Sequence, residues 1–157
     1  MHKRVSTTYS SKKFKSNCPL DPMDYGPKPI AFDIDQLTKQ NECFRTALWT
    51  GDSLQLTLMS IEPGEDIGQE IHQNLDQFLR IEEGTGLIKM GYRKDELNYQ
   101  EEVDDDFAII IPAGTWHNLI NTGDKPLKLY SIYAPPAHPS GTVQRTKEEA
   151  MGEEHHH

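Results

Sequence analysis

The sequence predicts an all-β domain, an antiparallel sandwich or barrel, on the strength of three observations. From residue 44 onward apolar side chains recur at every second position, the pattern of strands with one buried face. Turn-forming residues cut these runs into eight or nine short pieces. Between the pieces lies no amphipathic stretch long enough to serve as the crossover helix of a parallel sheet. The 157 residues make one domain, and a chain of this size buries roughly two-thirds of the surface its unfolded form exposes. Such a core needs neither disulfide nor metal to fold, so a metal would call for a functional explanation.

Residues 1–28 are rich in Ser, Thr, Lys and Pro, with acidic residues only from Asp21, and read as a flexible arm. The barrel is expected over 29–140 and a helical tail over 141–157. Asp33 followed by Gln36 resembles a capping box and predicts a helical turn over 33–37. Strands follow at Phe44–Trp49, Leu54–Ile61, Glu70–His72, Gln77–Glu82, Gly86–Met90, Glu96–Glu101, Phe107–Ile111, Trp116–Asn121 and Leu127–Tyr133. Their breaks fall at Thr50-Gly51-Asp52, Glu62-Pro63-Gly64, Glu83-Gly84, Arg93-Lys94-Asp95, Pro112-Ala113-Gly114 and Asn121-Thr122-Gly123-Asp124. Ala134-Pro135-Pro136-Ala137-His138-Pro139 cannot join a ladder, and Thr146 with Glu149 opens a short C-terminal helix. The closing His155, His156 and His157 read as a tag or polar tail and are set aside.

Composition narrows the function. Sixteen Lys and Arg against twenty-five Asp and Glu give a net charge of −9, the wrong sign for holding a phosphate backbone, so nucleic acid is not expected as a partner. Apolar runs of a few residues fall far short of the roughly 20 that span a bilayer, so no membrane insertion is expected. Lys3 and Arg4 are followed by no apolar stretch, which leads to the expectation of a cytoplasmic protein. Cys18 and Cys43 lack the pattern of a disulfide framework or zinc knuckle and read as reduced thiols.

Glu70 and His72, two apart on one expected strand, share a face. Gln77 opens the next strand, and His117 follows the turn at Gly114. If a small barrel brings them together, Glu70, His72 and His117 supply two imidazoles and a carboxylate, with Gln77 as a neutral fourth oxygen. That set suits one divalent ion, iron, manganese, zinc or nickel, with positions left open. Arg45, Arg80 and Lys89 are strand cations able to meet an anionic ligand. Phe78, Trp49, Trp116, Ile109, Ile111, Tyr130 and Tyr133 read as core or bore lining.

The spacing Gly64-x5-Glu70-x-His72-x4-Gln77-x6-Gly84 resembles the first motif of the cupin superfamily, and Pro112-x-Gly114-x2-His117-x3-Asn121 its second. With the flanking strands the resemblance runs from about 31 to 137. It implies a double-stranded β-helix, often dimeric, with metal at its mouth. Three positions depart from the pattern: Glu70 stands for a His, Gln77 for a Glu, and Asp106 for a Gly. The first two keep one carboxylate in the set but move it. The closest resemblance is to small bacterial proteins of the mannose-6-phosphate isomerase-like group, through Asp76–Arg80, Pro112–Asn118 and Tyr133–Pro136. It implies a metal-dependent enzyme, of isomerase or dioxygenase type, on a small oxygen-rich molecule. Glu70, Tyr130 and Tyr133 are the candidate acid–base groups. A non-catalytic module that captures a metabolite through the same metal, and a metal-free structural barrel, are the alternatives.

Overall fold

The computed structural model describes Cys18 and residues 23–154. Among these, α1 (Ile34–Gln40) is followed by β1 (Arg45–Thr50), β2 (Gln55–Ile61), β3 (Asp76–Glu83), β4 (Gly86–Gly91), β5 (Tyr99–Val103), β6 (Ala108–Ile111), β7 (Trp116–Asn121), β8 (Leu127–Ala134), β9 (Val143–Gln144) and α2 (Lys147–Glu154). The strands form a sheet ordered β6-β3-β8-β2-β1-β9 and a smaller one ordered β5-β4-β7. Every ladder is antiparallel. The fold is the all-β double-stranded β-helix that the motif spacing implies.

The caps form as the residue types dictate. The Asp33 carboxylate accepts the Gln36 N–H at 3.0 Å, and the Thr146 hydroxyl accepts the Glu149 N–H at 3.1 Å. The glycines of the two motifs sit in the left-handed region, Gly64 at φ +82°, Gly84 at +108° and Gly114 at +82°. A side chain at Gly84 would also press on the Leu127 backbone at 3.0 Å. Asp106 adopts φ 74°, so where this chain lacks the motif glycine it keeps the glycine's backbone conformation.

Facing residues in the ladders sort the large sheet into two faces. Met59, Ile61, Leu79, Ile81, Leu127 and Leu129 turn inward and meet Ile88 and Leu119 of the small sheet in the main core. Leu48, Leu56 and Leu58 turn outward under α1, with Phe32, Ile34, Leu37 and Tyr130. β2 is therefore buried on both faces. Its alternation of Leu with Gln and Thr reads in sequence as a half-buried strand, and the polar half proves to lie inside the barrel. The inner face of the large sheet carries Gln144 and Arg45 beside Met59, then Thr57 beside Ser131, then Gln55 beside Tyr133 and Gln77.

Four expectations change. Glu70–His72 is not a strand: residues 65–70 track β7 but pair with it only as bridges at Asp66 and Glu70, because Gly68, at φ +89°, breaks the extended run between them. β9 is added, too short for periodicity to reveal. Cys18 and Cys43 are not free thiols but a disulfide, their Cα atoms 4.7 Å apart; across 25 residues only the fold shows that they meet. The end of the expected arm is tied down as well. Asp24 accepts from the Thr50 N–H at 2.9 Å, the Thr50 hydroxyl at 2.6 Å, the Gly26 N–H at 2.9 Å and the Gly141 N–H at 3.0 Å. Residues 1–17 and 19–22, which carry the rest of the arm, and His155, His156 and His157 lie outside the described residues. Among those described, no helix is long and apolar enough to cross a membrane.

Candidate metal centre

Four side chains from three stretches of the chain come to the barrel interior. His117 comes from β7, with its side chain directed inward and 0% exposed. Glu70 lies beside it, fixed by a reciprocal backbone pair: Glu70 N–H to His117 carbonyl at 3.0 Å, and His117 N–H to Glu70 carbonyl at 2.9 Å. His72 is held by its carbonyl, which accepts the Gly114 N–H at 2.8 Å. Gln77 opens the inner face of β3 between Ile111 and Tyr133. The ligand atoms of Glu70, His72 and His117 all lie within 4.8 Å of one another. Glu70 Oε2 is 3.3 Å from His117 Nε2 and 3.6 Å from His72 Nε2.

Hydrogen bonding fixes what these atoms offer. His117 Nδ1 lies 3.0 Å from the Thr115 carbonyl; that oxygen only accepts, so Nδ1 carries a proton and Nε2 faces the carboxylate. A neutral His117 would set a lone pair against the Glu70 oxygen, and a proton on Nε2 would relieve that single contact alone. Two further buried atoms, His72 Nε2 and Gln77 Oε1, have no hydrogen-bond partner among the described residues. The Gln77 amide donates to Ser131 Oγ at 2.9 Å, which leaves its carbonyl oxygen as the free end. Two imidazole nitrogens, a carboxylate and an amide oxygen are all electron-pair donors, and one divalent cation suits the three that cluster, Glu70, His72 and His117. The residues fit a metal on this ground.

The electrostatics agree. Burial pushes the Glu70 carboxyl up, but contacts with His117 and His72 and the charge of Arg45 outweigh it and hold the group well below the usual carboxylate range. Glu70 is thus an anion at neutral pH. Behind His72, the Tyr133 ring meets it edge-on at 5.7 Å. Tyr133 is 1% exposed and burial raises its phenol, so the hydroxyl stays protonated. Its oxygen lies 3.3 Å from Nε2 of His138. Burial first, then the charge of Arg45, pushes His138 down to about 3, which keeps its imidazole neutral. Gln55 seats this histidine: its oxygen accepts the Ala137 and His138 N–H groups at 3.0 and 2.9 Å, and its amide donates to the His138 carbonyl at 2.8 Å.

The structure brings Glu70, His72, Gln77, His117 and Tyr133 together, and Arg45 reaches the same interior. Tyr130 does not join them. Three residues from Tyr133 on one strand, it faces outward into the α1 cluster with its ring 6.5 Å from Phe78. Arg80 is on the outer face with Asp106 and Glu82, and Trp116 lies beneath Lys94. Lys89 lines a cleft on the outside of the small sheet with Gln69 and Asn118. Asn121 holds its turn, accepting the Gly123 N–H at 2.8 Å. Sequence reasoning missed His138, Gln55 and Gln144. A histidine among prolines carries no periodic signal, and Gln55 looks like the solvent-facing half of β2.

Comparison with known proteins follows the same outline. The Cupin domain family model matches residues 57–133. The uncharacterized protein YrkC of Bacillus subtilis (strain 168) is 66% identical over 131 residues, 83% of this chain and 70% of that protein. The uncharacterized protein L612 of Acanthamoeba polyphaga mimivirus is 40% identical over 121 residues, 76% of this chain and 74% of its own. The crystal structure of BH2720 from Bacillus halodurans superimposes with a TM-score of 0.82 at 66% identity, covering 83% of this chain and 98% of that one.

Proposed function

Since the chain belongs to the cupin superfamily, we propose that it is a metal-dependent enzyme that acts on a small oxygen-rich molecule at the mouth of its barrel. Glu70, His72 and His117, with Gln77 as a fourth oxygen donor, would hold one divalent ion. One observation carries the reading: the ligand atoms of Glu70, His72 and His117 lie within 4.8 Å of one another, and His72 Nε2 and Gln77 Oε1 have no hydrogen-bond partner among the described residues. When bound, the ion supplies Lewis-acid polarisation of a substrate oxygen, or redox chemistry if it is iron.

The chain's own groups do the rest. Glu70 is fixed as an anion between the imidazoles. Tyr133, protonated and beside His72, would donate a proton from its hydroxyl, and neutral His138, its Nε2 3.3 Å from that oxygen, would orient the hydroxyl as hydrogen-bond partner. The proline-rich segment that carries His138 is held in place by Gln55. Isomerase chemistry, as in the mannose-6-phosphate isomerase-like group, and dioxygenase chemistry are the two forms of this reading.

Elemental analysis of protein purified without added metal tests the site, with about one equivalent per chain expected. Oxygen uptake with diketones, catechols and thiols, run beside an aldose–ketose exchange assay, separates the two chemistries. Protein that takes up no divalent ion would sink the reading, and a fully loaded site that turns over neither set would leave only a binding module.

A further inference from the structure

The barrel interior holds a buried cation that the metal site does not use. Arg45 is 2% exposed and lies across β1–β2 from Met59, so it points into the core. Its Nη1 donates to Gln144 Oε1 at 2.7 Å, while its Nε has no hydrogen-bond partner among the described residues. The carboxylate whose charge it feels, Glu70, is turned toward His117 and His72 instead. On the same inner face stands the Thr57 hydroxyl, 0% exposed and facing the Tyr133 hydroxyl. A buried guanidinium with an unpaired N–H, and with no carboxylate in contact among the described residues, is costly: about 1–3 kcal/mol for an unmet neutral donor and more for a charge.

We propose that Arg45 anchors a carboxylate of the molecule this barrel binds, so that the ligand is a small organic acid and not a neutral sugar. A guanidinium offers planar, directional donors that match a carboxylate, and one arginine balances one negative charge. Thr57 supplies a hydroxyl to the same guest. On the inner face Thr57 stands between the Arg45–Met59 level and the Gln55–Tyr133 level, so the anion's seat and Tyr133 share one wall of the barrel. For its oxygen-binding end the proposal rests on the metal reading above. Its anionic end stands without the metal.

The test is calorimetry on the full chain, stripped with chelator and reloaded with Mn²⁺, using acetate, pyruvate and malonate, each beside its neutral amide, and inorganic phosphate. At least one acid should bind the stripped protein, and its amide at least tenfold more weakly. Arg45→Gln should weaken that acid at least tenfold in the stripped state while its Mn²⁺ content stays at the wild-type level. Arg45→Lys should recover part of the loss. Acid and amide binding alike, Arg45→Gln binding the acid as well as wild type, phosphate binding more tightly than every acid, or no acid binding in either state would each overturn the proposal. If Arg45→Gln fails to fold, the acid-against-amide comparison on the wild-type chain decides alone. A chain that takes up no Mn²⁺ defeats the metal reading only, because the stripped arm still reports on Arg45.

Discussion

Replacing His72 with alanine separates a metal ligand from an ordinary core histidine. In the metal-free protein the substitution has two opposed effects. It removes the edge contact with Tyr133 at 5.7 Å, of the order of 0.5–1.5 kcal/mol. It also removes a buried nitrogen with no hydrogen-bond partner among the described residues and only a 3.6 Å contact with Glu70, whose desolvation costs about 1–3 kcal/mol. These nearly cancel, and the 21% exposed side chain leaves little cavity, so the stripped variant should melt within about 3 °C of wild type. Metal then separates the two. An ion at about 100 times its Kd stabilises the wild-type fold by ~2.7 kcal/mol, which in a domain of this size raises Tm by roughly 5–11 °C. Loss of a ligand that weakens binding about a hundredfold cuts the gain to ~0.4 kcal/mol, or about 1 °C. Thermal melts followed by circular dichroism, with and without Mn²⁺ or Zn²⁺ after chelator treatment, read both numbers. A variant that keeps the full metal-dependent shift, or one that loses more than about 4 kcal/mol while stripped, would refute the assignment of His72.

Three other outcomes follow from local geometry. Burial raises the Asp24 carboxyl, but hydrogen bonds from Thr50, Gly141 and Gly26 outweigh it and hold its pKa below the ordinary 3.8; its stabilisation is therefore complete above that value and is lost as the pH falls through the folded one. Asp24→Asn should cost about 1–3 kcal/mol at pH 7, and urea titrations should show the deficit shrinking toward pH 3; a constant deficit would contradict this. Asp106→Gly relieves a left-handed backbone at φ 74° and gives up a contact with Arg80 that is 80% exposed on the Asp side. It should raise Tm by about 1–3 °C, and a fall would show that the ion pair outweighs the backbone. Gln55→Ala should cost about 2–4 kcal/mol and speed amide exchange at Ala137 and His138, while unchanged exchange there would show that Gln55 does not hold the segment.

Much of the fold was legible because period two and turn residues are local signals. β7 was read at its true boundaries, β4 and β8 were missed by one residue at one end, and β3 by one residue at each end. The metal set was legible for another reason: two motifs with fixed spacing encode a three-dimensional meeting point that periodicity cannot. What stayed hidden depends on which face of a strand is covered. In β2, Leu56 and Leu58 look like the inward side. They lie outside because α1 supplies a second apolar layer, and this sends Gln55 and Thr57 into the barrel. Arg45 was visible as a candidate among three cations, but only its register against Met59 and Gln144 distinguishes it from Arg80 and Lys89. His138 was out of reach, since its place depends on Gln55 gripping a segment more than eighty residues away.

The moved carboxylate and the buried arginine belong to one arrangement. Glu70 is locked to His117 through the backbone, so its negative charge sits against the small sheet. Position 77 lies on the inner face of the large sheet, the face that carries Arg45, and there the chain has a neutral amide fixed to Ser131. A carboxylate at 77 would bring a second anionic site onto Arg45's own face and compete with an incoming acid for its field, whose strength in a low-dielectric interior extends well beyond contact distance. The exchange of His for Glu at 70 and of Glu for Gln at 77 thus keeps the charge of the metal set while leaving the guanidinium unneutralised on the ligand's side. Reversing both, Glu70→His with Gln77→Glu, should preserve metal content by elemental analysis yet weaken binding of the best-bound small carboxylic acid several-fold. If the reversed chain binds that acid as tightly as wild type, the position of the carboxylate has no bearing on the anion's seat, and the link between the two exchanges and Arg45 fails.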